Sequence, residues 1–126
     1  MAAEKRMGQI EIGGKTYPLN YSIRNADEID KALAANPPEE YGAYGNVVKN
    51  VRVLAILIRD GVEYMKRFHG EEVEPLAEDD ILSILDPGDN PRIIAAIKET
   101  IESGSMRLIS VQEKNAQAAP AGRKKG

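Results

Sequence analysis

The spacing of apolar residues changes near residue 22, from every second position before it to every third or fourth position after it. Before the change, two alternating runs flank Gly13-Gly14, and a glycine pair at that point indicates a two-residue turn with positive φ. The resulting register places Ile10 opposite Tyr17. The sequence therefore predicts a β-hairpin over residues 9–21, which must pack on helices because a lone hairpin is marginally stable in water.

The main apolar stripe after the change predicts one long helix over residues 46–68. Its apolar members are three or four residues apart, as one face of an α-helix requires: Val47, Val51, Leu54, Ile58, Val62 and Met65. A buried strand over residues 51–58 is the competing interpretation, because that run is rich in β-branched residues. The helix is favoured since no turn residue interrupts residues 46–60, and Gly61 then indicates a kink or a close contact with a neighbouring element.

Three shorter helices are predicted from their end signals, over residues 26–35, 78–85 and 91–103. Asn25 is the expected cap of the first, and the second begins with three carboxylates, which suit a helix N-terminus. Asn90 is the expected cap of the last, with Pro91 at its first helical position and a stop at Ser103-Gly104. Residues 106–111 fit either a short strand or an extension of that helix.

Together these elements predict an α+β fold that is mainly α-helical, with about four helices and an N-terminal β-hairpin. Hydrophobic residues are 42% of the 126, enough for one compact core but not for two, so residues 1–113 are expected to form a single globular domain. Aromatic residues are only 5%, and the core must therefore consist of Ile, Leu, Val and Ala. We expect residues 114–126 to form a disordered basic tail, because their apolar residues are limited to Ala and Pro.

Composition excludes several classes of protein. The chain has no Cys and a single His, which excludes disulfide scaffolds, thiolate zinc sites and multi-histidine metal sites. The longest unbroken apolar run, Val53 to Ile58, is far shorter than the ~20 residues that a membrane-spanning helix needs. Residues 1–6 are charged with no apolar run behind them, so no secretory signal is expected. These observations favour a cytoplasmic protein that does not enter a membrane.

The distribution of charge argues against a nucleic-acid partner. Of 17 basic and 20 acidic residues, four basic and no acidic ones lie in residues 114–126, which leaves 13 against 20 in residues 1–113. A domain with this negative charge repels phosphate backbones, and the tail is too short and too poor in aromatic residues to bind nucleic acid by itself.

No motif of catalysis or cofactor binding is complete. The acidic turn at residues 86–90 superficially resembles a calcium loop, but its glycine is third rather than sixth, and Ile97 occupies the twelfth position. Gly14 precedes a Lys-Thr pair as in a phosphate-binding loop, yet Gln9 stands where the first glycine of that motif belongs. The serines lack the flanking glycines of a nucleophile elbow. We therefore expect no enzymatic activity, no metal and no cofactor.

Apolar helix faces are the remaining candidate for function. Two short helices joined by a turn offer little room to bury five large side chains on one body, and excess apolar surface would mark self-association or a groove for a partner helix. The candidate partner-binding residues are Ile81, Leu85, Ile93, Ile97 and Ile101. The alternative is that every one of these side chains belongs to the core.

The order of elements resembles a known family. The hairpin over residues 10–19, the long apolar helix around residues 51–58, the acidic segment, the helix at 79–86 and the last helix from Pro91 are similar to the small tail assembly chaperones of long-tailed bacteriophages and prophages. The resemblance covers about residues 9–103, and it is one of layout, since that family has no diagnostic catalytic or ligand motif.

Membership of that family would imply a specific set of partners. The protein would bind the tape-measure protein, a very long helical chain, keep it soluble, and recruit tail-tube subunits before leaving, so that it is absent from the mature virion. A structural tail-completion or head–tail connector protein is the alternative from another class, and a regulatory adaptor without a phage role is a third.

Overall fold

The computed structural model describes residues 7–116, and the side chains of residues 7–103. The predicted α+β, mainly helical fold is confirmed: within these residues, four helices follow an antiparallel two-stranded hairpin. The elements in chain order are β1 (Gly8–Ile12), β2 (Lys15–Leu19), α1 (Ile23–Ala34), α2 (Gly45–His69), α3 (Glu78–Ile84) and α4 (Asn90–Ala116). Short 3₁₀ turns at Glu39–Tyr44 and Pro87–Asp89 lead into α2 and α4.

The hairpin has the predicted register, with Ile10 paired to Tyr17. Gly13 and Gly14 both have positive φ, 61° and 85°, as the predicted two-residue hairpin turn requires. Side chains of β1 alternate between buried and exposed, so that one face of the hairpin packs on the helices. Leu19 at the end of β2 is fully buried in that contact.

Helix α2 is the centre of the fold, and the helix prediction for residues 51–58 is confirmed against the strand alternative. The hairpin, α1, α3 and α4 all contact it. Its core-facing residues are completely buried, among them Val53, Leu54, Leu57 and Ile58. Gly61 makes the close contact predicted for it, since a Cβ at this position would overlap the backbone of Pro18 in β2.

The predicted cap of α1 is wrong, because the helix begins earlier than the sequence suggested. Ser22 has extended torsions and is the N-cap, while Asn25 lies three residues inside and accepts a hydrogen bond from the Ser22 backbone N–H at 2.9 Å. Asn25 is fully buried rather than exposed at a helix end. Its amide is held by tertiary contacts, which outweighed the local preference of asparagine for the cap position.

The predicted start and end of α4 are also wrong. Asn90 already has helical torsions and accepts a hydrogen bond from Asn50 Nδ2 of α2 at 3.0 Å, while Asp86 caps the preceding 3₁₀ turn by accepting from the Gly88 N–H at 2.7 Å. The helix continues through Gly104 to Ala116, so residues 106–111 extend it. A single interior glycine costs only about 1 kcal/mol, which the good helix formers after it offset.

The predicted disordered basic tail, residues 114–126, is only partly described by the structure. Residues 114–116 complete α4, and the rest of the predicted basic tail, residues 117–126, lies outside the described residues. Within the described part of the chain, no helix combines the length and the apolar character needed to cross a membrane.

Candidate functional site

Three of the five predicted partner-binding residues belong to the protein's own core, which corrects the expectation that the body has too little room for them. Ile81 and Ile93 are fully buried, and Ile97 is 8% exposed. Leu85 and Ile101 are partly buried against the same core. The body has more covering surface than the two short helices suggested, because α2 packs against both α3 and α4, and strand β1 covers α4 from a second side.

The structure brings some of these residues together with others that the sequence did not indicate. Ile81, Leu85 and Ile93 line a small cleft of about 170 Å³ beside two exposed tyrosines, Tyr41 and Tyr44. Ile97 and Ile101 do not line it. The cleft has room for little more than one side chain.

A larger concavity lies elsewhere, between α1, α2 and the segment that leads into α3. We call it the α1–α2 groove; its volume is about 780 Å³. Half of its lining is apolar and half is charged. The apolar residues are Ala32, Ala55, Ile56, Pro75, Leu76 and Ala77, and the charged ones are Glu28, Lys31, Arg52, Arg59, Glu78 and Asp80.

Small side chains on the two helices create the hollow. Ala32 on α1 and Ala55 on α2 each contribute a single methyl group, so the space above them stays open although the helices are in contact. Leu76 closes one side of it, and Val73 helps to hold the segment against the core. Ala32, Ala55 and Ile56 are partly buried, which makes them the apolar floor of the groove.

Ion pairs between elements hold the edges of the groove. Arg52 Nε lies 3.0 Å from Glu78 Oε2 and ties α2 to α3. Arg59 donates to both carboxylate oxygens of Glu28 on α1, at 2.9 and 3.2 Å. These bonds lower the pKa of Glu28 below its ordinary value of 4.5 and raise that of Arg59, whose bonds to Glu28 and then to Asp60 favour the charged guanidinium. Both residues are therefore ionised at neutral pH.

A buried polar cluster sets the position of α1 relative to α2. Asn25 Nδ2 donates to the backbone carbonyl of Asn20 and to Asp60 Oδ2, both at 2.8 Å. Arg59 neutralises the Asp60 carboxylate from the neighbouring position of α2, through bonds of 3.0 Å to each oxygen. In the described residues, no buried polar side-chain atom lacks a hydrogen-bond partner.

This buried polar cluster was not predicted from the sequence, although the position of Asp60 on α2 indicated it. Asp60 follows Val53 and Leu57 at helical spacing, so it continues a buried face of α2. A carboxylate on such a face requires buried donors. The sequence does not say which donor it meets, because Asn25 is 35 residues away.

A third concavity, of about 330 Å³, lies where α1 begins and α2 ends. Its lining includes Asp60, Arg24 and the rings of Tyr64 and Phe68, whose centroids are 4.9 Å apart. The Asp60 carboxylate accepts three hydrogen bonds there, as part of the buried polar cluster that joins α1 to α2. Across the described residues, no three His, Asp or Glu side chains are grouped so that they could hold a metal ion.

Comparison of the chain with family models, with curated proteins and with solved structures found no match. The α1–α2 groove and the charges that line it are therefore the features that bear on function.

Proposed function

We propose that this protein is a non-enzymatic tail assembly chaperone, which binds the tape-measure protein of a long-tailed bacteriophage and helps to recruit tail-tube subunits. The proposal includes action in the bacterial host cytoplasm and release before the virion matures. The observation that carries it is the α1–α2 groove, a hollow with an apolar floor on the surface of a small helical protein.

The groove has the size and lining for helix binding. Its volume of about 780 Å³ is within the roughly 300–1,000 Å³ that protein pockets use for drug-sized ligands, so it can take several side chains from one face of a helix. Amphipathic helices bind in such grooves through apolar residues spaced by three or four positions. A tape-measure protein offers that pattern over its whole length, and many chaperone copies could cover it.

Exposed apolar side chains elsewhere support self-association as part of the same proposal. Ile84 on α3 and Ile94 on α4 are 49% and 46% exposed. Copies bound side by side along one long helix would bring such surfaces together at high local concentration, where weak contacts are sufficient.

Co-expression with the tape-measure protein from the same gene cluster tests the proposal. We expect the two proteins to co-purify, the tape-measure protein to become insoluble when expressed alone, and mass spectrometry to find no copies of this chain in purified virions. A fixed number of copies per virion would instead support a tail-completion or head–tail connector protein. Failure to bind the tape-measure protein would overturn the proposal.

A further inference from the structure

We infer that the α1–α2 groove selects an amphipathic helix whose apolar face carries large aliphatic residues and is flanked by Lys and Arg. The inference rests on the proposed function for the identity of the partner, and it adds the chemistry of the partner's binding segment. Two features of the groove carry it: the pairing state of its charges, and the small size of its floor residues.

The three cations that line the groove are already neutralised by the protein itself. Lys31 Nζ lies 3.0 Å from Asp27, Arg52 is paired with Glu78, and Arg59 is paired with both Glu28 and Asp60. Two of these carboxylates, Asp27 and Asp60, are additional to the charged residues of the lining. The cations therefore have little charge left to attract an acidic partner.

The carboxylates near the groove are in excess. The segment over residues 75–80, which supplies one wall, contains three acidic residues and no basic one. Within the described residues, Asp79 and Asp80 form no ion pair, and both are exposed. Arg52 neutralises only Glu78 in this segment. The wall thus has a net negative potential, and a helix with Lys and Arg beside its apolar face would complement it.

The small residues on the floor of the α1–α2 groove determine which side chains the partner helix must contribute. Ala32 and Ala55 fill little of the hollow, so the groove gains packing only if the partner contributes long side chains such as Leu or Met. This requirement separates a partner helix from the chain's own basic residues 122–126, which contain no large apolar residue. The acidic wall also disfavours nucleic acid and anionic lipid as occupants, because it repels their phosphate groups.

Two labelled helical peptides and the full-length protein test the inference. Both peptides carry Leu at positions i, i+3, i+4 and i+7; one has Lys at the flanking positions and the other has Glu. Fluorescence anisotropy at low salt should show the Lys peptide binding about tenfold more tightly. About 0.5 M salt should remove most of that difference, because screening weakens exposed charges.

Variants locate the binding site. Ala55→Gln and, separately, Ala32→Gln, which fill the floor without changing its charge, should weaken binding of the Lys peptide by about tenfold or more, and circular dichroism checks that each variant is folded. Asp79→Asn with Asp80→Asn should weaken binding about threefold, since each exposed pair contributes little. The matched control is Glu99→Gln with Glu102→Gln, which removes the same charge from the exposed face of α4 and should leave binding unchanged.

Several outcomes would overturn the inference: equal affinity for the two peptides, binding that survives both floor variants, or displacement by a synthetic peptide of residues 114–126. The tape-measure protein distinguishes this failure from failure of the proposed function. If that protein binds but the floor variants do not weaken its binding, the function stands and the groove is wrong. If the Lys peptide binds in the groove but the tape-measure protein does not bind, the groove stands and the function is wrong.

Discussion

Gly61 of α2 lies directly against the backbone carbonyl of Pro18 in β2, so close that a Cβ on Gly61 would overlap the carbonyl oxygen. This contact allows the hairpin to approach the central helix, and the Asn20 backbone N–H then donates to the Leu57 carbonyl at 3.1 Å. Because both partners at Gly61 are backbone, neither can move aside by changing a rotamer. The position of the hairpin therefore depends on the absence of a Cβ at residue 61.

Gly61→Ala should therefore destabilise the protein by about 2–4 kcal/mol. Helix propensity predicts the opposite sign, since alanine in a helix interior is favoured over glycine by roughly 1 kcal/mol. Urea unfolding followed by circular dichroism measures the difference. A variant as stable as the wild type, or more stable, would show that the hairpin does not pack as tightly as described.

A similar contact joins β1 to α4, and here the partner is a side chain. A Cβ on Gly8 would overlap Oγ1 of Thr100, a fully buried residue that donates to the Ala96 carbonyl at 2.7 Å. Gly8→Ala should cost about 2 kcal/mol. Thr100→Ala should recover part of that loss in the double variant, because it removes the overlapping oxygen.

A double-mutant cycle by urea unfolding gives the coupling between positions 8 and 100. Additive effects of the two substitutions would mean that β1 and α4 are not in contact at this point.

Asn25→Ala should reduce the free energy of unfolding by about 3 kcal/mol, because it removes the two buried hydrogen bonds that Asn25 donates, to the Asn20 carbonyl and to the Asp60 carboxylate, and the one that it accepts from the Ser22 N–H. Asn46→Ala is the matched control at an exposed position and should change stability by less than about 0.5 kcal/mol. Denaturant unfolding of both variants is the measurement. Equal losses in the free energy of unfolding would contradict the structural role assigned to Asn25.

The ion pair of Glu28 with Arg59 predicts a pH dependence. The pKa of Glu28 is lower in the folded protein than its ordinary value of 4.5, so the pair contributes stability above pH 4.5 and loses it as pH falls through the folded pKa. Both side chains are about half exposed, at 49% and 53%, and solvent screens the pair. Glu28→Gln should thus cost only about 0.5 kcal/mol at neutral pH.

Urea unfolding at several pH values tests this dependence. The difference between wild type and Glu28→Gln should disappear in strong acid, where both are uncharged at this position. Asp30→Asn, which removes an exposed carboxylate from the same helix, is the matched control and should change the free energy of unfolding at neutral pH by less than about 0.5 kcal/mol. A Glu28 effect that persists unchanged in acid would exclude the ion pair as its source.

Ile93 and Ile94 are neighbours in sequence with opposite environments, 0% and 46% exposed. Ile93→Ala should cost about 3 kcal/mol by leaving a cavity between α4 and the core. Ile94→Ala should cost less than about 1 kcal/mol. Thermal unfolding of the pair measures this contrast, and similar losses would contradict the orientation of α4 in the fold.

Much of the fold was predictable from the spacing of residues along the chain. The glycine pair with its alternating flanks determined the hairpin and its Ile10–Tyr17 register, and uninterrupted helical spacing determined α2. These features depend on contacts within a few residues, where backbone sterics and side-chain period act directly. Helix ends were less predictable, since Asn25 and Asn90 both have typical cap chemistry and are both held by partners from distant segments.

The sequence by itself determined which elements form and which faces are apolar. Only the tertiary structure decided which apolar faces remain open. Ile81, Ile93 and Ile97 are buried because α2 and the hairpin cover them, whereas Ala32 and Ala55 line an open groove although alanine gives no sign of a site. The physical reason is that burial depends on how closely whole elements approach one another. Contacts such as that of Gly61 with Pro18 set this approach between residues far apart in the chain.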